Sequence, residues 1–313
     1  QGITTQVYLI SQISQPTLQF LKLSSYSFFT LTFVSALIIA RRLSTNVLAK
    51  SLALSFATLS LSFIFLDSTT LQYLGSYGML VYCQTFFLGA ILINFAARQL
   101  WTDDLPPTKV YLAWLPIFFF ATYIDTRFSY YICMVFASAA ILNLTHRERL
   151  TKIVAMGFLY GVVLAIPIFL QFYVVPMLMG YQPNHVKSLM LFEPRRLETI
   201  IGFLITNTNQ YLDTIVGDDR VDKIALLAII ALGLASHRKT KFGKGIFLFL
   251  TLTLTFQILA SLFAIYPFGS IRYTTPLLGS FLVLYFLGIY QIFNYIGFLL
   301  KHRTARLISS LLI

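Results

Sequence analysis

Apolar residues in this chain come in long, nearly unbroken runs, not in the alternation of a strand or the one-sided stripe of a surface helix. Nine runs stand out, at 24–40, 51–66, 77–97, 110–124, 128–144, 153–179, 224–236, 245–266 and 274–299. A membrane-crossing helix needs about 20 mostly apolar residues. The runs at 51–66, 110–124 and 224–236 are short by that measure and lean on their flanks or on a thinner bilayer. The fold class this pattern predicts is all-α: a polytopic transmembrane bundle of about nine helices, with outer-face loops and short interfacial helices.

The polar stretches divide the chain further. Residues 1–23 alternate polar and apolar positions and read as the end of an external loop lying along the interface. Residues 24–313 form the transmembrane domain. Only Asp125, Thr126 and Arg127 separate two of the runs, which predicts a tight helical hairpin. The segment 180–223 is too long for a turn and reads as an external loop, within which LETIIGFLIT predicts a short interfacial helix. Pro116, Pro167 and Pro176 fall inside runs and are expected to kink them. No run contains a charged residue. Their polar members are Gln84, Asn94, Asn143, Gln171, Gln257, Gln291 and Asn294, read as hydrogen-bonding glue between helices.

Charge then sets orientation. The chain carries +12 overall with only 11% charged residues, against about 25% in soluble domains. The odd-numbered runs end in Arg41, Arg42 and Lys50; Arg98 and Lys109; Arg147, Arg149 and Lys152; Arg238, Lys239, Lys241 and Lys244; and Lys301, Arg303 and Arg306. Only Asp103, Asp104 and Glu148 offset them, and the opposite side is neutral. By the positive-inside rule the basic side is cytoplasmic, with the C-terminus inside. The expected location is an integral membrane protein of the bacterial inner membrane, its active face periplasmic or extracellular. Basic tracts between apolar runs, with no basic face of interleaved aromatics, point away from nucleic acid. Cys83 and Cys133 lie inside runs and read as small hydrophobes. The four histidines show no metal-ligand spacing, so no metal site or cofactor is evident.

With no ionisable group at membrane depth, the coupling chemistry of an ion-driven transporter lacks its parts. Reactivity is expected at the outer rim, where polar residues cluster in four places. One holds Asp67, Gln72, Tyr73 and Tyr77. A second holds Asp125 and Arg127. A third is the FEPRRLE segment with Glu193, Arg195 and Arg196. The fourth, AIYPFGSIRYTTPL, sets Arg272 between Tyr266 and Tyr273 after a Pro267–Gly269 turn. An arginine so placed holds a phosphate in a bidentate fork, or snorkels to lipid headgroups; both readings stay open on the residues alone.

The order of these pieces resembles the GT-C class of membrane glycosyltransferases, which use dolichyl- or polyprenyl-phosphate sugars, and among them the protein-mannosyltransferase-like and Rgt-like members. Three stretches carry the resemblance: LKLSSYSFFTLTFVSALIIARRLS, SFIFLDSTTLQYLGSYGMLVYCQTFFL and YPFGSIRYTTPLLGSFLVLYFLGI. Their order, not any one of them, is what is similar. The resemblance implies inverting transfer of a hexosyl or pentosyl group from a polyprenyl-phosphate donor to a glycan, lipid or protein acceptor at the outer face. It implies that Arg272 binds the donor phosphate, that Gln72 and Tyr73 line the site, and that Asp67 is a weaker candidate. Tyr77, Tyr266, Tyr273, Glu193, Arg195 and Arg196 are further site-lining candidates from the outer-rim clusters. The family's catalytic acid sits in the first external loop, expected upstream of Gln1 in a longer protein, where a divalent metal is also possible. The alternative from a different class is a non-enzymatic lipid or polysaccharide transporter or flippase component; a structural subunit of a membrane complex is the third.

Overall fold

The computed structural model describes residues 18–43, 79–174, 177, 197–216, 220–262 and 271–311. Among the described residues the chain is almost entirely helical, with nine α-helices and no strand. They are α1 (Leu18–Leu43), α2 (Met79–Phe95), α3 (Thr108–Ile124), α4 (Phe128–Leu142), α5 (Arg147–Phe169), α6 (Leu197–Val216), α7 (Arg220–His237), α8 (Lys241–Leu262) and α9 (Ile271–Leu311). π-helical turns extend α2 over Ala96–Leu100 and α5 over Leu170–Val174.

These nine are not the nine of the sequence pattern. The run at 51–66 lies outside the described residues, and α6 takes its place in the count. The expected ten-residue interfacial helix is a 20-residue one. The last helix runs 41 residues, well past the apolar run that ends at 299.

Among the described residues, four stretches are long and apolar enough to cross a membrane: Leu23–Leu43, Arg147–Phe169, Lys241–Leu262 and Gly279–Leu299. α3, α4 and the Ile224–His237 part of α7 are apolar but shorter. At 1.5 Å per residue, the 17 residues of α3 reach about 25 Å, under the roughly 30 Å of a hydrocarbon core. Large apolar side chains also point outward. On α5, Val154, Phe158, Val162, Ile166 and Phe169 are exposed on one face while Ile153, Tyr160, Leu164 and Pro167 are buried on the other. A helix apolar on both faces suits a lipid solvent, and these helices suggest a membrane-embedded protein.

The helices pack as two groups. α1, α2 and α9 contact one another and α7 packs on α9, while α4 packs with α5 and α8 and α3 packs with α5. The end of α2 ties the groups together. Phe95 enters an aromatic cluster with Phe118 at 4.9 Å, Trp114 at 5.4 Å and Tyr160 at 6.2 Å. One π-turn later, Trp101 is buried, donates from Nε1 to Ser138 Oγ at 3.1 Å, and lies edge-on to Phe242. Gly245 leaves room for the indole: a β-carbon there would overlap the Trp101 ring. The carbonyl of Gln99, freed by the π-turn, accepts from Tyr111 Oη at 2.8 Å, and the carbonyl of Tyr111 accepts from Tyr160 Oη at 2.6 Å. The Gln99 carbonyl, in the last turn of the extended α2, is one of those a helix end leaves over, and a tyrosine of a neighbouring helix meets it.

α7 and α9 cross at glycines. A β-carbon on Gly233 would strike the Leu284 carbonyl, and one on Gly288 would strike the Ile229 carbonyl. Gly279 meets the backbone of Gly89 and Ala90 in the same manner, with Ala90 N 2.5 Å from the position of an added β-carbon. Small residues at these crossings let backbones touch, and van der Waals contact then holds helices that hydrophobicity does not drive together in lipid.

Candidate functional site

The bundle has two chemically different ends. At one end the loop after α2, the start of α5 and the start of α8 converge. Lys241 Nζ lies 3.2 Å from Asp103 Oδ1 and donates to the Thr102 carbonyl. Arg149 lies 3.9 Å from Asp104, and Lys152 Nζ donates to the Pro106 carbonyl. Three basic tracts that the sequence assigned to one side therefore share one end of the structure, with two of that side's acidic residues set among them. We refer to it as the basic end.

The far end is fixed by α4 and α8, which run antiparallel. Trp101, at the basic end, touches Ser138 on α4 and Gly245 on α8, whereas Tyr131 meets Gln257 toward the opposite end. Along α9, Gly279 packs on α2 well before Trp101, and Gly288 packs beside Ile229, two turns before His237. Gly233, one turn nearer His237, meets Leu284, so α9 runs antiparallel to α7 along this contact.

Two polar groupings occupy the far end among the described residues. The first is the turn between α3 and α4. Arg127 donates from Nε to Asp125 Oδ1 at 2.6 Å and from Nη2 to Oδ2 at 2.5 Å, and its backbone N–H adds a third bond to Oδ1 at 3.1 Å. Asp125 is the one charged residue that is buried among the described residues. Both of its oxygens are taken by the fork, so it closes the hairpin and is not poised as a base. The second joins α4 to α8: Gln257 Nε2 donates to Tyr131 Oη at 2.8 Å, and Tyr130 Oη donates to the Thr253 carbonyl at 2.6 Å. The Oε1 of Gln257 and the hydroxyls of Thr253 and Thr122 are buried with no hydrogen-bond partner in the structure.

The sequence-derived site residues fall as follows. Asp67, Gln72, Tyr73, Tyr77, Glu193, Arg195, Arg196 and Tyr266 lie outside the described residues. Arg272 and Tyr273 lie in the first turn of α9, with only their backbone described. Asp125 and Arg127 were found as an outer-rim cluster. The Tyr130–Tyr131–Thr253–Gln257 grouping was missed, except that Gln257 was read as inter-helix glue, which its bond to Tyr131 bears out. Asn143 caps α4, donating from Nδ2 to the Ala139 carbonyl at 2.8 Å, and is buried. Its Asn-Leu-Thr sequence is thereby closed to glycosylation. Cys83 and Cys133 are both free thiols. No group of three or more His, Cys, Asp or Glu residues suited to a metal ion occurs among the described residues.

No protein-family model, no curated protein and no solved structure matches this chain.

Proposed function

We propose that this chain is the membrane-spanning part of a lipid-linked-sugar glycosyltransferase of the GT-C class. It transfers a sugar from a polyprenyl-phosphate donor at the face opposite the basic end. The observation that carries the reading is the order of the three sequence stretches, which sets Arg272 in the first turn of α9. Departure of a phosphate needs its charge met by fixed donors, and a guanidinium at the membrane surface supplies two in a planar fork. The apolar helix flanks supply a surface for the polyprenyl tail. The basic end then faces the cytoplasm of a bacterial inner membrane.

The test uses the full-length protein in proteoliposomes with a polyprenyl-phosphate sugar. Arg272→Ala is expected to lower transfer by about 100-fold or more while insertion is unchanged, in line with loss of one charge-stabilising donor. Wild-type rates from that variant would remove Arg272 from the reaction. A protein inactive with every polyprenyl-phosphate sugar offered would overturn the class.

A further inference from the structure

An apolar groove of about 470 Å³ runs along the outer flank of the bundle between α3 and α5. Leu112, Leu115, Pro116, Phe119 and Phe120 line it from α3 and Val163 from α5. Its floor is shaped by Pro116, which has no amide hydrogen and packs no long side chain against α5. What lies below the groove is charged. On α3, Lys109 precedes Leu112 by three residues and Pro116 by seven, so all three share one helix face. On α5, Lys152 precedes Val163 by eleven residues, three turns, and shares its face likewise. Lys109 is exposed and pairs with no described residue. Lys152 Nζ is spent in part on the Pro106 carbonyl and lies 5.9 Å from the Tyr111 ring centre, with two of its three donors left. The acidic residues nearby are Asp104 and Asp103, facing Arg149 and Lys241, and exposed Glu148.

The geometry points to a binding seam for one anionic phospholipid. An acyl chain lies in the α3–α5 groove and the headgroup phosphate sits between Lys109 and Lys152 at the basic end. The groove alone would take any apolar chain. The two lysines at its foot select a chain that ends in negative charge. From Lys109 to Phe120 the helix rises about 16 Å, roughly the depth of one leaflet's hydrocarbon. The inference rests on the membrane-embedded reading, and is separate from the transferase activity at the other end.

The experiment is native mass spectrometry of the whole protein released from nanodiscs that hold equal phosphatidylglycerol and phosphatidylcholine. The wild type is expected to retain phosphatidylglycerol about tenfold over phosphatidylcholine. Lys109→Gln/Lys152→Gln is expected to bring that ratio near one. Val163→Trp, which fills the groove and leaves the lysines, is expected to lower retention of both lipids. Glycerol 3-phosphate at millimolar concentration is expected not to displace the lipid. Equal retention of the two lipids by the wild type, an unchanged ratio in the double variant, or displacement by glycerol 3-phosphate would each overturn the seam. A chain that stays soluble without detergent or lipid would fail the membrane reading itself. Wild-type selectivity in Lys109→Gln alone, with Lys152→Gln also wild type, would place the phosphate elsewhere.

Discussion

The ammonium of Lys241, at the start of α8, stands 3.2 Å from the Asp103 carboxylate in the loop after α2. Asp103 is largely exposed, so the pair itself contributes under about 1 kcal/mol. Its value is topological, because it puts two loops far apart in sequence on one end of the bundle. In a Cys83→Ala/Cys133→Ala background, Asp103→Cys and Lys241→Cys are expected to cross-link with a short bifunctional maleimide and to be labelled from the same side of sealed vesicles. Labelling from opposite sides would break the fold as described. Alkaline phosphatase fusions then give the absolute side: activity is expected near Asn209 and none near Lys241.

The glycine crossings give a contrast within one protein. A methyl group at Gly288 meets the Ile229 carbonyl, and neither partner is a flexible side-chain end. Gly288→Ala should therefore force α7 and α9 apart at a cost of about 1–3 kcal/mol, the range of overpacked cores. Gly161, on α5, has open space around the same position, with nothing within 4 Å. Gly161→Ala should be neutral or stabilising by up to about 1 kcal/mol, as alanine replaces glycine in a helix. Thermal denaturation in detergent reads both. Equal melting temperatures for the two variants would mean that the α7–α9 contact is not made.

The bond between Gln257 and Tyr131 is the inter-helix link that a double-mutant cycle isolates. Tyr131→Phe and Gln257→Leu are each expected to destabilise, the first by leaving a buried amide N–H unmet. Such bonds within membranes couple by about 0.6 kcal/mol on average and up to about 1.7. The double variant should thus fall short of the sum of the singles by an amount in that range. Strict additivity would show that the two side chains do not bond.

Much of the helical layout was legible because a run apolar all round has few other stable forms. Asp125-Thr126-Arg127 gave the hairpin, since no helix continues through three polar residues between two apolar runs at membrane depth; Ile124 ends α3 and Phe128 opens α4. The full length of α6 was missed for a definable reason. Asn207, Asn209, Gln210 and Asp213 break the apolar run, yet Ile200, Leu204, Thr208, Tyr211 and Ile215 keep a 3.6-residue period. Reading for continuous apolarity overlooks an amphipathic helix. α9 outran its apolar run because charge ends a membrane span without ending a helix, and no Gly or Pro occurs from 298 to 311. The junction at Phe95 and Trp101 was not legible at all. It depends on Gly245 and Ser138, whose proximity to Trp101 leaves no local trace in a single sequence. For the site, the chemistry of Asp125 and Arg127 was visible as a cluster, but their closed fork, which leaves no oxygen over for catalysis, required the geometry.

That fork yields the most discriminating variant. Arg127→Met leaves the buried Asp125 carboxylate without its guanidinium, and removing one partner of a buried pair costs about 3–5 kcal/mol. Adding Asp125→Asn removes the stranded charge while keeping a hydrogen-bonding side chain at the end of α3. The double variant is therefore expected to recover more than half of the loss in thermal denaturation. Asp125→Asn alone is expected to destabilise while leaving the transfer rate per folded molecule within a few-fold of wild type, because both oxygens are held by Arg127. If instead Asp125→Asn abolished transfer with its melting temperature unchanged, Asp125 would be the acceptor's base. The catalytic carboxylate would then lie in the α3–α4 turn.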